Sequence, residues 1–347
     1  GDATGAVPIS TFNQIGFTGN GVDYLTFTNS GTITGNNLLV ATSAVGRALV
    51  GLGIMSRGYD GHHDQLINTA TGVITANATT SIGFILAVTA GGGGNAAYDN
   101  MINNAGTITA TSTSGSARAV QIAGSRSKVI NSGTLNASSS TATANAEASG
   151  VVIIGNNVGS GVANLTTDQL VDNSGIINVS GSAQTLYGIR AVYGTTGTIT
   201  GIAKDINLTN TGQINITSTN GAKDAYGIAV QNGADNTIVS NSASISLSGG
   251  TGALRSGRAG IFRSDSGAVG SETFTINNEG NISVDAASYA IFTGNTKDTV
   301  TITGGTIIGD ISLGKSDDTL TMSNGALSGR VLMGEGNDSI IIKGTAN

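Results

Sequence analysis

The chain contains no cysteine, no tryptophan and a single proline. Without cysteine there are no disulfides, no thiolate metal sites and no cysteine nucleophile. One proline beside 54 glycines among 347 residues excludes both a collagen repeat and a Pro-rich linker. Charge is scarce as well. Asp, Glu, Lys and Arg make up 10% of residues, against about 25% in an ordinary globular protein. The net charge is −6 and no basic stripe exists to neutralise phosphates, so nucleic acid is excluded as a partner. The longest apolar run, 81–88, is about half a bilayer span, so this segment is not expected to insert in a membrane. No basic n-region precedes an apolar h-region, and the chain is expected to be a mature or trimmed piece.

What is present is Ser, Thr, Asn, Ala, Gly, Ile and Val. Such a chain is too apolar for disorder and suits many turns around a thin core of small β-branched side chains. The last fifty residues show how it is ordered. Asp298 opens DTVTITGGTIIGDISLGKS, Asp318 opens DTLTMSNGALSGRVLMGEGN and Asp338 opens DSIIIKGTAN, each start 20 residues after the last. Gly294, Gly314 and Gly334 keep the same interval, as do Val300/Ile302, Leu320/Met322 and Ile340/Ile342. A fixed period near 20 residues with alternating apolar positions predicts a solenoid, one coil per period.

Moving this template towards the N-terminus gives 11 copies, at Asp23, Asp64, Asp99, Lys128, Asp168, Asp205, Asp235, Glu272, Asp298, Asp318 and Asp338. Ten of these openings are acidic. After each opening come an alternating strand, an Asn-x-Gly type turn and a second strand. A third, small-residue strand follows after a variable gap, as in ARAVQIAG, SGVVIIG and YGIRAV. The fold expected is all-β, a single-domain parallel β-helix of three strands per coil and about 11 coils. Glycines at the turns are expected to supply positive φ. Coils longer than about 20 residues must carry surface loops, expected at 89–97, 136–148, 155–167 and 194–203. The organisation predicted is an N-terminal cap or first partial coil at 1–22, loop-decorated coils at 23–288 and regular coils at 289–347. The last coil breaks off at KGTAN, so the natural chain is expected to continue past Asn347.

The NSGTI-type turns, the D-T-L-T strand openings and the Gly-rich three-strand coils resemble passenger domains of bacterial autotransporters (type V secretion), in particular the adhesin and self-associating class. Similar Ser/Thr/Asn/Gly-rich solenoids occur in filamentous haemagglutinin-like exoproteins and some phage tail proteins. The resemblance implies a right-handed β-helix displayed on the surface of a Gram-negative cell. It also implies a signal peptide and an outer-membrane barrel outside this segment.

Several residue sets invite a chemical reading. The acids at the coil openings, above all Asp298, Asp318 and Asp338, would line up in a stack. Calcium is the candidate ion, because it takes carboxylate and carbonyl oxygens, and MGEGNDSII resembles one RTX nonapeptide. The alternative is that each Asp accepts backbone N–H groups at a turn. No other cofactor is expected. Asn29, Asn68, Asn104, Asn131, Asn173, Asn210, Asn241 and Asn278 recur at one turn and predict a structural ladder of stacked amides. Arg255, Arg258 and Arg263 lie within nine positions and suggest a patch for anionic glycans, since Arg pairs bidentately with carboxylate or sulfate. The alternative is pairing with acids of neighbouring coils. His62 and His63 sit between Asp60 and Asp64 and read as solvated loop residues rather than a metal or acid–base site. Asp265-Ser266-Gly267 lacks the fitted surroundings of a protease triad.

The function expected is that of a surface adhesin, without catalysis, serving cell adhesion, autoaggregation or biofilm formation. Its partners would be the same protein on neighbouring cells, or host and matrix glycans or proteins. Two alternatives stand beside it. One is a polysaccharide-degrading β-helix enzyme, the other a passive stalk.

Overall fold

The computed structural model describes residues 26–36, 49–50, 63–78, 84–90, 98–142, 145–155, 166–193, 203–220, 224–231, 234–264 and 272–344. Asp23, Tyr59, His62, Asp265 and the N-terminal segment 1–22 lie outside them. All 32 strands pair in parallel and form three sheets, of 12, 10 and 10 strands. Successive members of each sheet are three strands apart along most of the chain, which is the connectivity of a parallel β-helix. The main path of the first sheet has 11 strands, one for each sequence copy.

The alternating pattern places the side chains as period 2 requires. Met101–Asn104 and Thr107–Ser112 bury every second residue. Exact register then turns those residues into columns. In the second sheet the inward column runs Ile33, Ile74, Ile108, Leu135, Ile177, Ile214, Ile245, Ile282, Ile307 and Leu327. A parallel column in the first sheet runs from Phe27 through Leu66, Ile102 and Val129 to Leu320 and Ile340. One hydrophobic cluster extends from Ile33 to Met322, so the decorated and regular coils share one core.

Glycines such as Gly305, Gly314, Gly325 and Gly334 are at positive φ as expected, but those of the Asn-x-Gly turns have a different cause. Gly106, Gly133, Gly175 and Gly212 are not at positive φ. A Cβ on each would lie 2.0–2.1 Å from the carbonyl oxygen of the equivalent glycine one coil away. Glycine is required there because two backbones approach closely, not because the turn is left-handed.

The expected loops are shorter than predicted. Asn136–Ser139 belong to the strand Thr134–Ser139, and Glu147 and Ala148 open the strand Glu147–Ile154. Ala203 likewise opens Ala203–Asn210. Alternating Ala and Ser in 136–148 hid strand residues in what reads as low-complexity sequence.

Candidate binding surface

The three sheets differ sharply in surface chemistry. The ten strands of the second sheet contain no charged and no aromatic residue. Its outward column carries Thr34, Thr75, Thr109, Asn136, Asn178, Asn215, Ser246 and Ser283 in unbroken register. Asn215 donates to Asn178 Oδ1 and Asn178 donates to Asn136 Oδ1, both at 3.0 Å. Thr111, Ser138, Ser180, Thr217 and Ser248 form a second outward column beside it. The result is a neutral lattice of hydroxyls and amides, one row per coil.

An open groove of about 720 Å³ continues this face round the corner to the first sheet. It is lined by the turns Ser132–Gly133, Ser174–Gly175 and Thr211–Gly212 and by the starts of the second-sheet strands, including Gln213 and Asn281. The glycines that the close stacking demands leave its floor as bare backbone. Among the described residues of the groove lining and the second-sheet strands, Glu279, at one end of the groove, is the one charged residue.

The inner asparagine ladder lies beneath this corner. Each Nδ2 from Asn29 to Asn241 donates to Oδ1 of the next member at 2.7–2.8 Å, ending on Asn278. Most members also donate to the glycine carbonyl two residues on, such as Asn104 to Gly106 at 3.2 Å. Seven of the eight are at most 1% exposed, and Asn29 is 6% exposed. The ladder is buried and ties each coil to the next. Past Asn278 its column continues as Ile302, Met322 and Ile342.

The acids do not form one column. His63, Asp99, Arg126, Asp168, Asp205 and Asn236 occupy equivalent corner positions, all with φ between 49 and 59°. Asp and Asn tolerate this left-handed region best, which accounts for the acids at 99, 168 and 205. Arg126 holds Asp99 bidentately, at 2.8 and 2.9 Å, and keeps its carboxyl below the usual range. One residue later is a different, inward column, which holds Asp64, Asn100, Ser127 and Gln169 and, further along, Asp298 and Asp318. Here the oxygen of one side chain accepts the N–H of its neighbour one coil away. Asp64 N–H donates to Asn100 Oδ1, Asp298 N–H to Asp318 Oδ1 and Asp318 N–H to Asp338 Oδ1. Among the described residues no three or more His, Asp or Glu gather as a metal-ligand set. Asp298, Asp318 and Asp338 are linked coil to coil by these bonds.

The arginines do not form a surface patch. Arg258 and Arg263 are both 0% exposed. They take positions held by Ala225 and Val230 in the neighbouring coil, inside the core. Arg258 donates to Asp285 Oδ2 at 2.9 Å and to Ser288 Oγ at 3.0 Å. Arg263 pairs with Glu272. Arg255 alone reaches solvent, 3.7 Å from Asp224. A guanidinium inside the stack must find its acid in a neighbouring coil, and both do.

A second cluster was hidden in the sequence. On the third sheet Glu147 lies between Arg118 and Arg190. Burial pushes its carboxyl up, but the two guanidiniums outweigh that and hold it below the usual range. Arg190 sits 4.7 Å from the Tyr187 ring, which stacks on Tyr226 at 5.3 Å. Phe262 and Phe292 prolong the ladder. Tyr187 and Tyr226 are each 6% exposed, so neither offers a free face to a sugar. Tyr193, one residue beyond the strand Thr185–Val192, points the other way. It is in the core, and its hydroxyl donates to Gln169 Oε1 at 2.7 Å. The pairs are 29 and 43 residues apart, and unequal coil lengths conceal such neighbours. The uncharged second sheet did leave a sequence signal, the lack of Asp, Glu, Lys and Arg in the second strand of each coil.

No family model, curated protein or solved structure matches this chain.

Proposed function

We propose that this chain is an adhesive rod that binds through the uncharged face of its second sheet and the adjoining groove, and that its first partner is the same face on a second copy. The observation that carries the reading is that ten successive strands present no charge and no aromatic ring. Hydroxyl and amide groups both donate and accept, so a lattice of them is complementary to itself. Each cross-contact contributes about 1 kcal/mol or less, and repetition along the rod multiplies the effect. Absence of charge removes the repulsion that normally keeps two copies of an acidic protein apart. The resemblance to self-associating autotransporter passengers, and with it display on a Gram-negative cell surface, supports the same function.

A polysaccharide-degrading site is less well supported. Such a site needs a carboxyl that can give up or take a proton. Glu147, the third-sheet carboxylate that lies beside the tyrosine ladder, is held ionised by two arginines.

The test places charge on the lattice. Asn136→Lys, Asn178→Lys and Asn215→Lys together should abolish concentration-dependent association in sedimentation, and settling of cells or beads that display the chain. The circular dichroism and melting of the triple variant should stay near wild type, because these side chains point outward. A wild-type chain that is strictly monomeric and leaves settling and surface binding unchanged on display overturns the proposal. So does a folded triple variant that associates as wild type does.

A further inference from the structure

The outward face of the second sheet is ordered in two directions. Six consecutive coils present three outward residues each, from Val73, Thr75 and Asn77 to Ser244, Ser246 and Ser248. Along a strand these positions are two residues apart, about 6.6 Å. From coil to coil they are one strand apart, about 4.8 Å. The pairing carries no register shift across these rows, so the second spacing repeats without slippage. No outward side chain in the six rows is larger than that of Gln213, and none is charged.

A ladder of amides runs along the middle column. Asn215 donates to Asn178 and Asn178 to Asn136, and Asn136 Nδ2 donates in turn to Thr109 Oγ1 at 3.3 Å. Side chains on the outside of the rod therefore join four coils, all in one direction. A primary amide has two N–H donors and an oxygen with two lone pairs, and the ladder uses one N–H of each. The remaining donors and lone pairs lie on the outer face, repeated once per coil. In-register cross-β fibres carry amide ladders of the same kind.

On the reading that the second sheet is the binding face, we propose that this face docks lengthwise on a cross-β protein fibre with an uncharged polar side, coil against rung. Two stiff lattices of side chains interdigitate over their whole length only if their repeats agree. A mismatch of about 0.5 Å per row puts the partners a full row out of step after about ten rows. A cross-β fibre repeats at about 4.7–4.8 Å along its axis, the strand spacing that sets the rows here. Fibre-forming segments are low in net charge, so neither surface brings a charge that the contact would strip of water without a partner. Small outward side chains allow the two sheets to stack at about 10 Å. A fibre offers far more rungs than a second copy offers coils, and the many weak bonds of one contact act together. The open strand edges of the rod are at its ends, so a contact along its side adds no strand to the fibre.

Cosedimentation of the whole chain with preformed polyglutamine fibres tests this, at concentrations where the chain alone stays in the supernatant. Microcrystalline cellulose, a neutral polar lattice that is not a β-stack, is the control. The chain should pellet with the fibres and not with cellulose. Soluble polyglutamine peptide should compete at least about tenfold more weakly than the same mass of fibre, because it offers no repeated rungs. Binding should saturate near one chain per about ten fibre strands on each side, since the ten strands of the sheet lie along as many rungs. N136K/N178K/N215K should lower fibre binding about tenfold or more. S138K/S180K, in the neighbouring column, should act in the same direction. No pelleting with fibres, equal pelleting with cellulose, saturation denser than about one chain per three strands, or a folded lysine variant that binds as wild type does overturns the proposal. If neither variant folds, the saturation ratio decides. Self-association without fibre binding overturns this proposal alone. A chain that neither associates nor binds fibres overturns the adhesive reading with it.

Discussion

At the residue scale, asparagine and glycine act together at one corner of the coil. The asparagine amide both donates and accepts, so every internal member of the ladder serves two neighbours. Asn173 receives from Asn131 and donates to Asn210, each at 2.7 Å. Replacing it leaves one buried donor and one buried acceptor unpaired, at about 1–3 kcal/mol each. Asn173→Ala should lower stability in urea unfolding by about 2–4 kcal/mol. Asn178→Ala, in the outward ladder, should lower it by less than about 0.5 kcal/mol, because water replaces the lost bond. Equal effects would show that the inner ladder is not the stronger one. Two residues beyond Asn173, Gly175 allows the coils to approach closely enough for these amides to meet.

At the scale of the element, the strand Arg258–Arg263 breaks the rule that inward positions are apolar. Its sequence RAGIFR is buried throughout. The arginines survive there because Asp285 and Glu272, from neighbouring segments, meet them. Buried pairs of this kind respond asymmetrically to mutation. Removing one partner strands a charge, whereas removing both does not. Arg263→Met alone should cost about 3–5 kcal/mol of unfolding free energy. R263M combined with Glu272→Met should recover most of it, a coupling that a double-mutant cycle measures. Additive losses would mean that the pair is not coupled in the folded chain. The same strand explains why a patch of three arginines, so evident along the chain, is absent from the surface. Strict alternation would put residues five apart on opposite faces, but Arg258–Arg263 is buried throughout, and both arginines fall in register with the buried Ala225 and Val230.

For the whole molecule, the main consequence is the segregation of charge by sheet. The first sheet carries Lys128, Asp172, Lys204 and Asp205, and the third carries Arg118, Glu147, Arg190 and Asp224. The second carries none. Association through the second sheet should therefore depend little on ionic strength. Between about 0.05 and 0.5 M salt, where screening of charged faces changes greatly, the self-association constant measured by sedimentation should vary less than about threefold. A tenfold fall would locate the contact on one of the charged sheets instead.

Periodicity alone specified the solenoid. Alternation set which residues face inward, the recurring Asn predicted its ladder, and 11 copies became 11 paired strands, because a parallel stack in register repeats in space what the chain repeats in sequence. The absence of charge in the second strand of each coil was also written there, although it acquires meaning only once those strands share a face. Other features depended on the third dimension. Whether an opening acid sits at a left-handed corner, as Asp99 does, or inside the stack, as Asp298 does, turns on a shift of one residue. Whether Arg258 binds a ligand or an aspartate depends on which coil lies beside it. Glu147 meets Arg118 and Arg190 only through loops of unequal length. Local preference and period are properties of short segments. Burial, and the partners that burial demands for Arg258 and Arg263, belong to the packed stack.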